Sequence, residues 1–317
     1  MAGTLNMNNN TFANVSHALL STVAHYFIYN TSSEAYSNYN SNIWNNLNIN
    51  SSGAFYLIYN SSSTQIALNV NNNAITTGLT RTAGAAAGTI YCYYAGSSSL
   101  GTSTQTISNN NFSNITATTS GAGTFYGIYT SDGAASPYPQ KNIFNNTFNN
   151  INNNATGSFY GIYVSYLGDG TTSQGSRVYN NTISNVTSAQ TFYCLYMGST
   201  ASPNQPAKFY NNTVMNITNN STTSSMYGVY GYSSTLAPYV EFYNNKIAGL
   251  STASASGKLY GFYGVSGAFR FRIYNNYFGN LTATGAMTTT MPAPAIAGLY
   301  LVSTSEYKVY NLSLIHI

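Results

Sequence analysis

Charged side chains are scarce in this chain of 317 residues, which has nine Lys and Arg residues and five Asp and Glu residues. In an average soluble protein about a quarter of the residues are charged. Proteins that bind nucleic acids carry clustered Lys and Arg side chains, which displace counterions from the phosphates. We therefore expect no nucleic-acid partner for this chain.

Long apolar runs and metal-binding motifs are also missing from the sequence. No run reaches the roughly 18–20 apolar residues that a membrane-spanning helix needs, so we expect no membrane span. The sequence has neither the ligand spacing of a metal site nor a glycine-rich phosphate loop. We therefore expect no metal and no other cofactor.

What the sequence does contain is a repeat in which two blocks alternate at intervals of 31–37 residues. The first block reads Asn-Asn-Thr-Ile-Ser-Asn-Val at Asn180–Val186. Its other copies start at Asn9, Ser41, Asn72, Asn109, Asn145, Asn211, Asn244 and Asn275, with an incomplete one at Asn311. The second block reads Phe-Tyr-Gly-Ile-Tyr at Phe159–Tyr163. Its other copies are His25–Tyr29, Phe55–Tyr59, Ile90–Tyr94, Phe125–Tyr129, Phe192–Tyr196, Met226–Tyr230, Leu259–Tyr263 and Ile296–Tyr300.

Both blocks have the pattern of β-strands: they are rich in Tyr, Phe, Ile and Val and alternate at period two. One repeat cannot bury its own apolar face, whereas stacked repeats share a continuous core. The sequence therefore predicts an all-β, right-handed parallel β-helix of about nine coils, with the hand given by the crossover preference of parallel strands. Propeller blades have four strands and are longer, and leucine-rich repeats need a leucine framework, so both alternatives fit less well.

The repeat covers residues 1–311, which we interpret as one β-helix domain of a metagenomic fragment, truncated inside a coil at both ends. Residues 312–317 read Leu-Ser-Leu-Ile-His-Ile. This string resembles the translation of a transposon-based sequencing adapter, and we interpret it as a scar outside the fold. Cys92 and Cys194 lie three coils apart, about 14 Å at strand spacing, which predicts free thiols because a disulfide needs Cα atoms within about 7 Å.

Alternation also predicts which side chains face the core in the segment Arg177–Ile183, which runs into the first block. Val178 is expected inside, Tyr179 outside and Asn180 inside. The equivalents of Asn180 in other coils are then expected to stack as an internal asparagine ladder, which satisfies their buried amide groups. The following residue, Asn181, is expected to adopt the left-handed conformation that asparagine tolerates in turns.

In the second block, alternation sends Tyr160 and Ile162 inward and Tyr163 outward, and the tyrosine column of Tyr163 is unbroken over nine coils. Contacts between rings on neighbouring strands explain this column without any ligand. The alternative is a binding stripe, since aromatic rings with hydroxyl groups suit sugars or a protein surface. The candidate binding residues are Tyr129, Tyr163, Tyr196, Tyr230 and Tyr263.

The charged residues give little catalytic signal. Asp132 and Asp169 follow the second block on adjacent coils, and they are the candidate catalytic residues because carboxylates about 6.5–9.5 Å apart can serve an inverting glycosidase. Each precedes a glycine, however, which is typical of a turn. His17 and His25 have no acidic or cysteine partner in their repeats, so no catalytic triad is predicted.

One column of charges is expected to form a solvated ladder on the outside of the stack. Glu241 lies between basic residues in this column and is expected to pair with one of them, a contact that stabilises little when it is exposed. The members of the column are Arg177, Lys208, Glu241, Arg272 and Lys308.

The alternation of Val-Tyr-Asn-Asn-Thr-Ile with Tyr-Gly-Ile-Tyr resembles the right-handed β-helix repeats of very large secreted bacterial surface proteins, over residues 5–311. The resemblance implies an extracellular or cell-surface location, a role as a stalk or adhesin, and a polysaccharide or another surface protein as partner. The same superfamily includes pectate lyases and polygalacturonases. Their sites need several clustered Asp residues with Arg, Lys or His, and this chain has no such cluster.

We therefore expect a non-enzymatic stalk or adhesin segment. One alternative is a carbohydrate-binding module that uses the tyrosine column. The other is a polysaccharide lyase or glycosidase with its site near Asp132 and Asp169 or in coils outside this chain.

Overall fold

The computed structural model describes residues 3–63, 66–82, 88–96, 102–118, 121, 123–132, 138–154, 157–168, 174–198, 205–232, 239–265, 270–284, 295–302 and 306–315. These residues form strands and turns and contain no helix. Strands one coil apart pair in parallel and in register, as Val178 does with Ile143 and with Phe209. The predicted all-β parallel β-helix is therefore confirmed. Its right-handedness stays a prediction.

Each coil contributes strands to three long sheets, which we name A, B and C in chain order. The strands of sheet A are Thr4–Asn6, Tyr36–Asn40, Ala67–Asn71, Thr104–Ser108, Gln140–Phe144, Arg177–Tyr179, Lys208–Tyr210, Val240–Tyr243, Arg270–Tyr274 and Glu306–Tyr310. Those of sheet B are Ser16–Ser21, Leu47–Ser51, Leu79–Arg81, Ile115–Ala117, Thr147–Asn153, Thr182–Ser188, Thr213–Asn219, Lys246–Thr252, Tyr277–Ala283 and Ser313–Ile315. Three short strands, Thr11–Ala13, Ile43–Asn45 and Ala74–Ile75, precede sheet B in the first coils.

Sheet C consists of the second sequence block. Its strands are His25–Asn30, Phe55–Asn60, Ile90–Ala95, Phe125–Thr130, Phe159–Val164, Phe192–Met197, Met226–Gly231, Leu259–Gly264 and Ile296–Leu301. Eight turns of the solenoid separate these nine strands, which is close to the predicted number of coils. The first sequence block, in contrast, begins at the corner between two strands: a sheet A strand such as Arg177–Tyr179 ends directly before it, and the block leads into a sheet B strand such as Thr182–Ser188. A typical coil is therefore three-sided.

The corner between sheets A and B corrects our prediction for the asparagine ladder by one residue. Asn180 has a φ of 54° and its side chain is exposed, whereas Asn181 is buried. A single residue in the left-handed conformation turns the chain and interrupts the alternation of side chains. The residue after the turn therefore faces the core. The same correction applies to Asn145, Asn211, Asn244 and Asn275, which have φ values of 53–55°.

The ladder starts at Asn10, which is exposed at the end of the stack, and rises through eight further coils, in which its members are buried. The side-chain nitrogen of each member donates to the side-chain oxygen of the next, at 2.8–3.0 Å. Its members are Asn10, Asn42, Asn73, Asn110, Asn146, Asn181, Asn212, Asn245 and Asn276. Because each amide bonds to the coil above and the coil below, the ladder satisfies polar groups that are costly to bury alone.

Sheet C corrects a second prediction, that Tyr160 points inward. Phe159 is buried, Tyr160 is half-buried, and then Gly161 and Ile162 are both buried before Tyr163 returns to the surface. Two consecutive inward residues shift the alternation, so that Tyr160 and Tyr163 share the outer face. A Cβ atom on Gly161 would lie 2.6 Å from the Cys194 carbonyl oxygen and 2.5 Å from Ile183 Cδ1. The close packing inside this strand therefore requires glycine.

The interior is one continuous apolar cluster that runs along the stack. Residues across the coil compensate for each other in size: a Cβ atom on Gly127 would lie 2.4 Å from the ring of Phe148. Cys92 and Cys194 are buried free thiols, as predicted, and burial raises the pKa of both.

Ser313–Ile315, which we set apart from the repeat on sequence grounds, pairs in register with residues 277–279.

Candidate functional site

The outer face of sheet C is covered by two tyrosine columns, which we call the tyrosine face. Neighbouring rings within a column stack almost parallel, with centroids 4.6–5.2 Å apart between the first and seventh members. One column is Tyr26, Tyr56, Tyr91, Tyr126, Tyr160, Tyr193 and Tyr227. The other is Tyr29, Tyr59, Tyr94, Tyr129, Tyr163, Tyr196, Tyr230, Tyr263 and Tyr300.

The two columns meet edge to face. Tyr126 and Tyr129 have ring centroids 4.9 Å apart and an interplanar angle of 73°, and Tyr160 and Tyr163 are 5.7 Å apart at 78°. Aromatic pairs of this geometry stabilise beyond the area that they bury. Since the face of each ring is covered by a ring of the next coil, the groups that remain at the surface are ring edges and hydroxyl groups.

The five tyrosines that we proposed for binding, Tyr129, Tyr163, Tyr196, Tyr230 and Tyr263, all lie half-buried on this face. Burial, followed by the neighbouring phenols, raises the pKa of Tyr230 to about 12. Burial also raises the pKa of Tyr163 and Tyr263. The hydroxyl groups of these three residues therefore stay protonated at neutral pH.

Sequence reasoning missed the second column of the tyrosine face. The signal that could have revealed it is the glycine at position 161 and its equivalents, Gly127, Gly228 and Gly261 in other coils. A glycine in the middle of a strand pattern often marks an irregularity, and here it marks the point where alternation shifts.

Sheet A carries a third aromatic column on its outer face. Its members, which include the predicted outward residue Tyr179, stack with centroids 4.8–5.0 Å apart: Tyr179, Tyr210, Tyr243, Tyr274 and Tyr310. Phe144 extends this column by stacking on Tyr179 at 4.8 Å. Beside this pair lies a shallow groove of about 620 Å³, to which Gln140, Gln174 and Arg177 contribute.

The charge ladder on sheet A is present as predicted. Glu241 pairs with Lys208 at 3.7 Å and with Arg272 at 3.2 Å. The guanidinium of Arg272 also lies 4.1 Å from the centroid of the Tyr239 ring, a favourable cation–π position. These contacts are partly exposed and contribute little to stability.

The candidate catalytic residue Asp132 does not lie at the surface. Its side chain is 2% exposed and its Oδ1 atom lies 3.0 Å from Lys141 Nζ, which is completely buried. Gln105 donates a hydrogen bond from Nε2 to Asp132 Oδ2. The other candidate, Asp169, lies outside the described residues. Asp132 therefore faces an amine and an amide of its own chain inside the solenoid.

Lys141 sits at the inner corner between sheets C and A. Besides Asp132 Oδ1, its Nζ atom contacts the carbonyl oxygens of Ser165 at 2.6 Å and Asp132 at 3.1 Å, and the Thr130 hydroxyl at 3.3 Å. Burial lowers the pKa of Lys141, and the neighbouring Asp132 carboxylate opposes this shift. Burial raises the pKa of Tyr93, which interacts electrostatically with Asp132.

The same inner corner is polar in the first coil. Glu34 is 8% exposed and accepts hydrogen bonds from Asn30, Ser32 and Ser37. Further along the stack this corner becomes apolar, with Met197 and Phe271 on its two sides. Buried polar side chains in this corner are therefore confined to part of the stack, and the repeat itself does not require them.

His17 and His25 lie together in the first coil, with ring centroids 5.1 Å apart. Burial, then His17 and then Arg81, lowers the pKa of His25. Arg81 is buried and donates to the carbonyl oxygens of Ser51, Gly53 and Gly88. This arrangement favours the neutral form of His25, and no acidic partner of the two histidines is found among the described residues.

Comparison with family models, with curated proteins and with solved structures gave no match to this chain. Within the described ranges, no group of three or more His, Cys, Asp and Glu side chains is arranged to hold a metal ion. None of the described residues belongs to a helix long and apolar enough to cross a membrane.

Proposed function

We propose that this chain is a structural segment, a stalk or the shaft of an adhesin, in a secreted or cell-surface protein. The observation that carries the proposal is that side chains pair along the axis. Inside, asparagines bond from coil to coil, and outside, tyrosines stack from coil to coil on sheets A and C. Because these side chains bond or stack between neighbouring coils along the axis, they make the solenoid a stiff spacer of fixed length.

The strand register supports this role. In parallel sheets neighbouring strands lie about 4.8 Å apart, so nine coils span about 43 Å. The register is continuous along sheet A, for example from Lys208 to Glu241 and on to Arg272. A rod of this kind would hold a neighbouring domain at a set distance from a surface and present its lateral faces to a polysaccharide or to another surface protein.

Excision of one whole coil tests the stalk proposal. Deleting residues 181–211 joins Asn180 to Asn212 and restores the Asn-Asn-Thr-Val sequence. Spin labels on two outward positions of sheet A, Asn38 and Lys308, report the length of the rod. We expect a narrow distance distribution whose mean shortens by about 4.8 Å, one strand spacing, on excision. A broad distribution, or a mean that excision does not shorten, would contradict a rigid spacer.

An activity assay tests the part of the same proposal that states that the chain is not an enzyme. The purified chain is incubated with acidic and neutral polysaccharides, and product formation is followed for the wild type and for Asp132→Asn. We expect no depolymerisation by either protein. Depolymerisation that the substitution removes would show an enzyme and overturn the assignment as a structural segment.

A carbohydrate-binding face is the second candidate function. The observation that favours it is that two tyrosine columns, and not one, share the outer face of sheet C. Because the rings cover each other, a sugar chain would contact ring edges and hydroxyl groups. Hydroxyl groups repeated at strand spacing suit a ligand that is itself a regular polymer.

Matched tyrosine substitutions test this second candidate. Tyr129→Ala with Tyr163→Ala opens the tyrosine face, whereas Tyr179→Ala with Tyr210→Ala removes as many rings from sheet A. We expect polysaccharide binding by the wild type and by the sheet A variant, and no binding by the sheet C variant. The absence of binding, or equal binding by all three proteins, would rule out the tyrosine face as a carbohydrate site.

A further inference from the structure

The buried cluster of Gln105, Asp132 and Lys141 is not explained by the repeat. Gln105 and Lys141 are direct register partners on adjacent strands of sheet A, and both face the interior with no exposed surface. The next register partner along the stack towards the N-terminus, Leu68, is apolar. An apolar residue would therefore be sufficient for packing at this position. A buried ion pair stabilises a fold less well than apolar packing does, because both charges lose their hydration.

Asp132 bridges the two side chains. One carboxylate oxygen lies 3.0 Å from Lys141 Nζ, and the other accepts a hydrogen bond from Gln105 Nε2. The carboxylate thus contacts both the nitrogen of an amine and the nitrogen of a primary amide. A group in this position can take a proton from the first nitrogen and give one to the second.

One polar atom of this cluster is unsatisfied. Among the described residues, Gln105 Oε1 has no hydrogen-bond partner, although it is buried. Buried polar atoms without partners are uncommon in native proteins and call for an explanation. An amide oxygen without partners and an adjacent desolvated amine are the features of a reactive pair.

We propose that Lys141 and Gln105 become joined by a spontaneous isopeptide bond, with Asp132 transferring the protons. In the reaction, Lys141 first passes its ammonium proton to Asp132. The neutral amine attacks Gln105 Cδ and forms the new carbon–nitrogen bond. Asp132 protonates Nε2, the old carbon–nitrogen bond breaks, and ammonia leaves. The former Nζ atom gives a second proton to Asp132. Asp132 passes this proton to the released ammonia, which departs as ammonium, and Asp132 is again a carboxylate.

The burial of Lys141 assists the formation of the neutral amine that the reaction needs. Burial lowers the pKa of Lys141, which reduces the cost of removing its proton. The register between the two strands holds the side chains side by side, and such positioning replaces a large part of the entropy cost of joining two groups. The product amide retains one N–H group, which can donate to Asp132.

The bond would tie two neighbouring coils together covalently. It would close a loop between residues 105 and 141, and it would therefore restrict the unfolded chain in the way that a disulfide does. This property is independent of the proposed role as a stalk, since it concerns the interior of the coils and not a surface or a partner.

The mass of the purified chain tests the proposal directly. After expression and incubation at physiological temperature, the denatured wild type is expected to be lighter than its sequence by the mass of one ammonia. Fragmentation after proteolysis is expected to show one branched peptide that joins residue 105 to residue 141. An unchanged mass after prolonged incubation overturns the proposal and leaves the cluster as a structural ion pair.

Matched variants identify the residues involved. Lys141→Met and Gln105→Met are expected to keep the full mass, whereas Lys208→Met, which removes an outward lysine of sheet A, is expected to lose ammonia as the wild type does. Asp132→Asn is expected to slow the conversion by about 10²–10⁴-fold, the usual contribution of a proton-transfer group. Conversion of Asp132→Asn at the wild-type rate would contradict the role of this residue.

The peptide map separates the proposal from other reactions. Asparagine residues lose ammonia when they form succinimides, but that product contains no branched peptide and does not depend on Lys141. Loss of one water molecule with a bond between residues 132 and 141 would show that Asp132 is the acyl partner. Either outcome would overturn the assignment of Gln105.

Discussion

Asn181 donates a hydrogen bond from its side chain to the side-chain oxygen of Asn212 at 3.0 Å, and its own side-chain oxygen accepts two hydrogen bonds from Asn146 at 2.9 and 3.0 Å. One residue thus links three consecutive coils. The side chain of Asn181 also donates to the carbonyl oxygen of Ile143 at 3.0 Å. The hydrogen-bonding groups of this buried amide are all used, which makes it a sensitive position for mutation.

Replacing Asn181 by alanine is expected to destabilise the fold. The substitution leaves two donors of Asn146 without an acceptor inside the protein, and an unsatisfied buried group costs about 1–3 kcal/mol. The matched control is Asn180→Gly, since Asn180 is exposed and glycine adopts its φ of 54° without strain. Denaturant unfolding of both variants checks the expectation. Equal destabilisation by the two substitutions would show that the ladder does not act as described.

Among variants that cannot form the isopeptide bond, removing one partner of the buried ion pair is expected to cost more than removing both. Lys141→Met leaves Asp132 as a buried charge without its cation, and such a change typically costs about 3–5 kcal/mol. The double variant Lys141→Met with Asp132→Leu is expected to regain part of this loss. Thermal unfolding measures the difference, with Lys208→Met as the control because its pair with Glu241 is partly exposed. A double variant that is less stable than the single one would refute this expectation.

The tyrosine columns are expected to make the protein sensitive to alkali. Burial raises the pKa of Tyr56, Tyr230 and Tyr274 to about 12, above the ordinary value of 10.0. Above pH 10 the unfolded chain loses phenol protons that the folded chain keeps, so the stability that these tyrosines contribute is lost as the pH rises through their folded values. Thermal unfolding from neutral pH to about pH 12, followed together with phenolate absorbance, checks this.

Replacement of the three tyrosines by phenylalanine provides the control. Phenylalanine keeps the stacked ring but has no proton to lose, so the variant Tyr56→Phe, Tyr230→Phe, Tyr274→Phe is expected to lose less stability above pH 10. A variant that is as alkali-sensitive as the wild type would assign the effect to other groups.

The first coil is expected to loosen in acid. Burial, His17 and Arg81 lower the pKa of His25 from 6.5, so the unfolded segment binds a proton more readily than the folded one. Stability of this coil is therefore lost as the pH falls below 6.5 through the folded value. Hydrogen exchange of residues 26–30 measures the effect. The register partner of His25 is Phe55, so His25→Phe keeps the ring and removes the charge. Acid sensitivity that persists in this variant would argue against His25 as its source.

The sequence identified the fold because the evidence for it is local and repeated. Each copy of the second block, such as Phe159–Tyr163, shows the strand pattern by itself, and the regular spacing of copies requires them to stack. The outward tyrosines Tyr129 and Tyr163 and the charge ladder around Glu241 follow from the same regularity. Stacking of the coils in register is sufficient to place these residues in columns.

The tertiary structure decided which side chains are inside wherever the backbone departs from regular alternation. One left-handed residue at Asn180 places Asn181 in the ladder, and two inward residues at Gly161 and Ile162 place Tyr160 outside. Period-two reasoning fails at such points because it assumes an extended backbone without interruption.

The partners of Asp132 were also decided by the tertiary structure. Gln105 and Lys141 are 27 and 9 residues from Asp132 in the sequence. Because the loop lengths between coils vary, no sequence motif predicts the cluster. Only the winding of the chain brings an acid, an amine and an amide together in an interior from which water is excluded. The sequence by itself determined that the coils stack, because stacking is the way that repeated strands bury their apolar faces. The stack then determined which of the few charged groups meet.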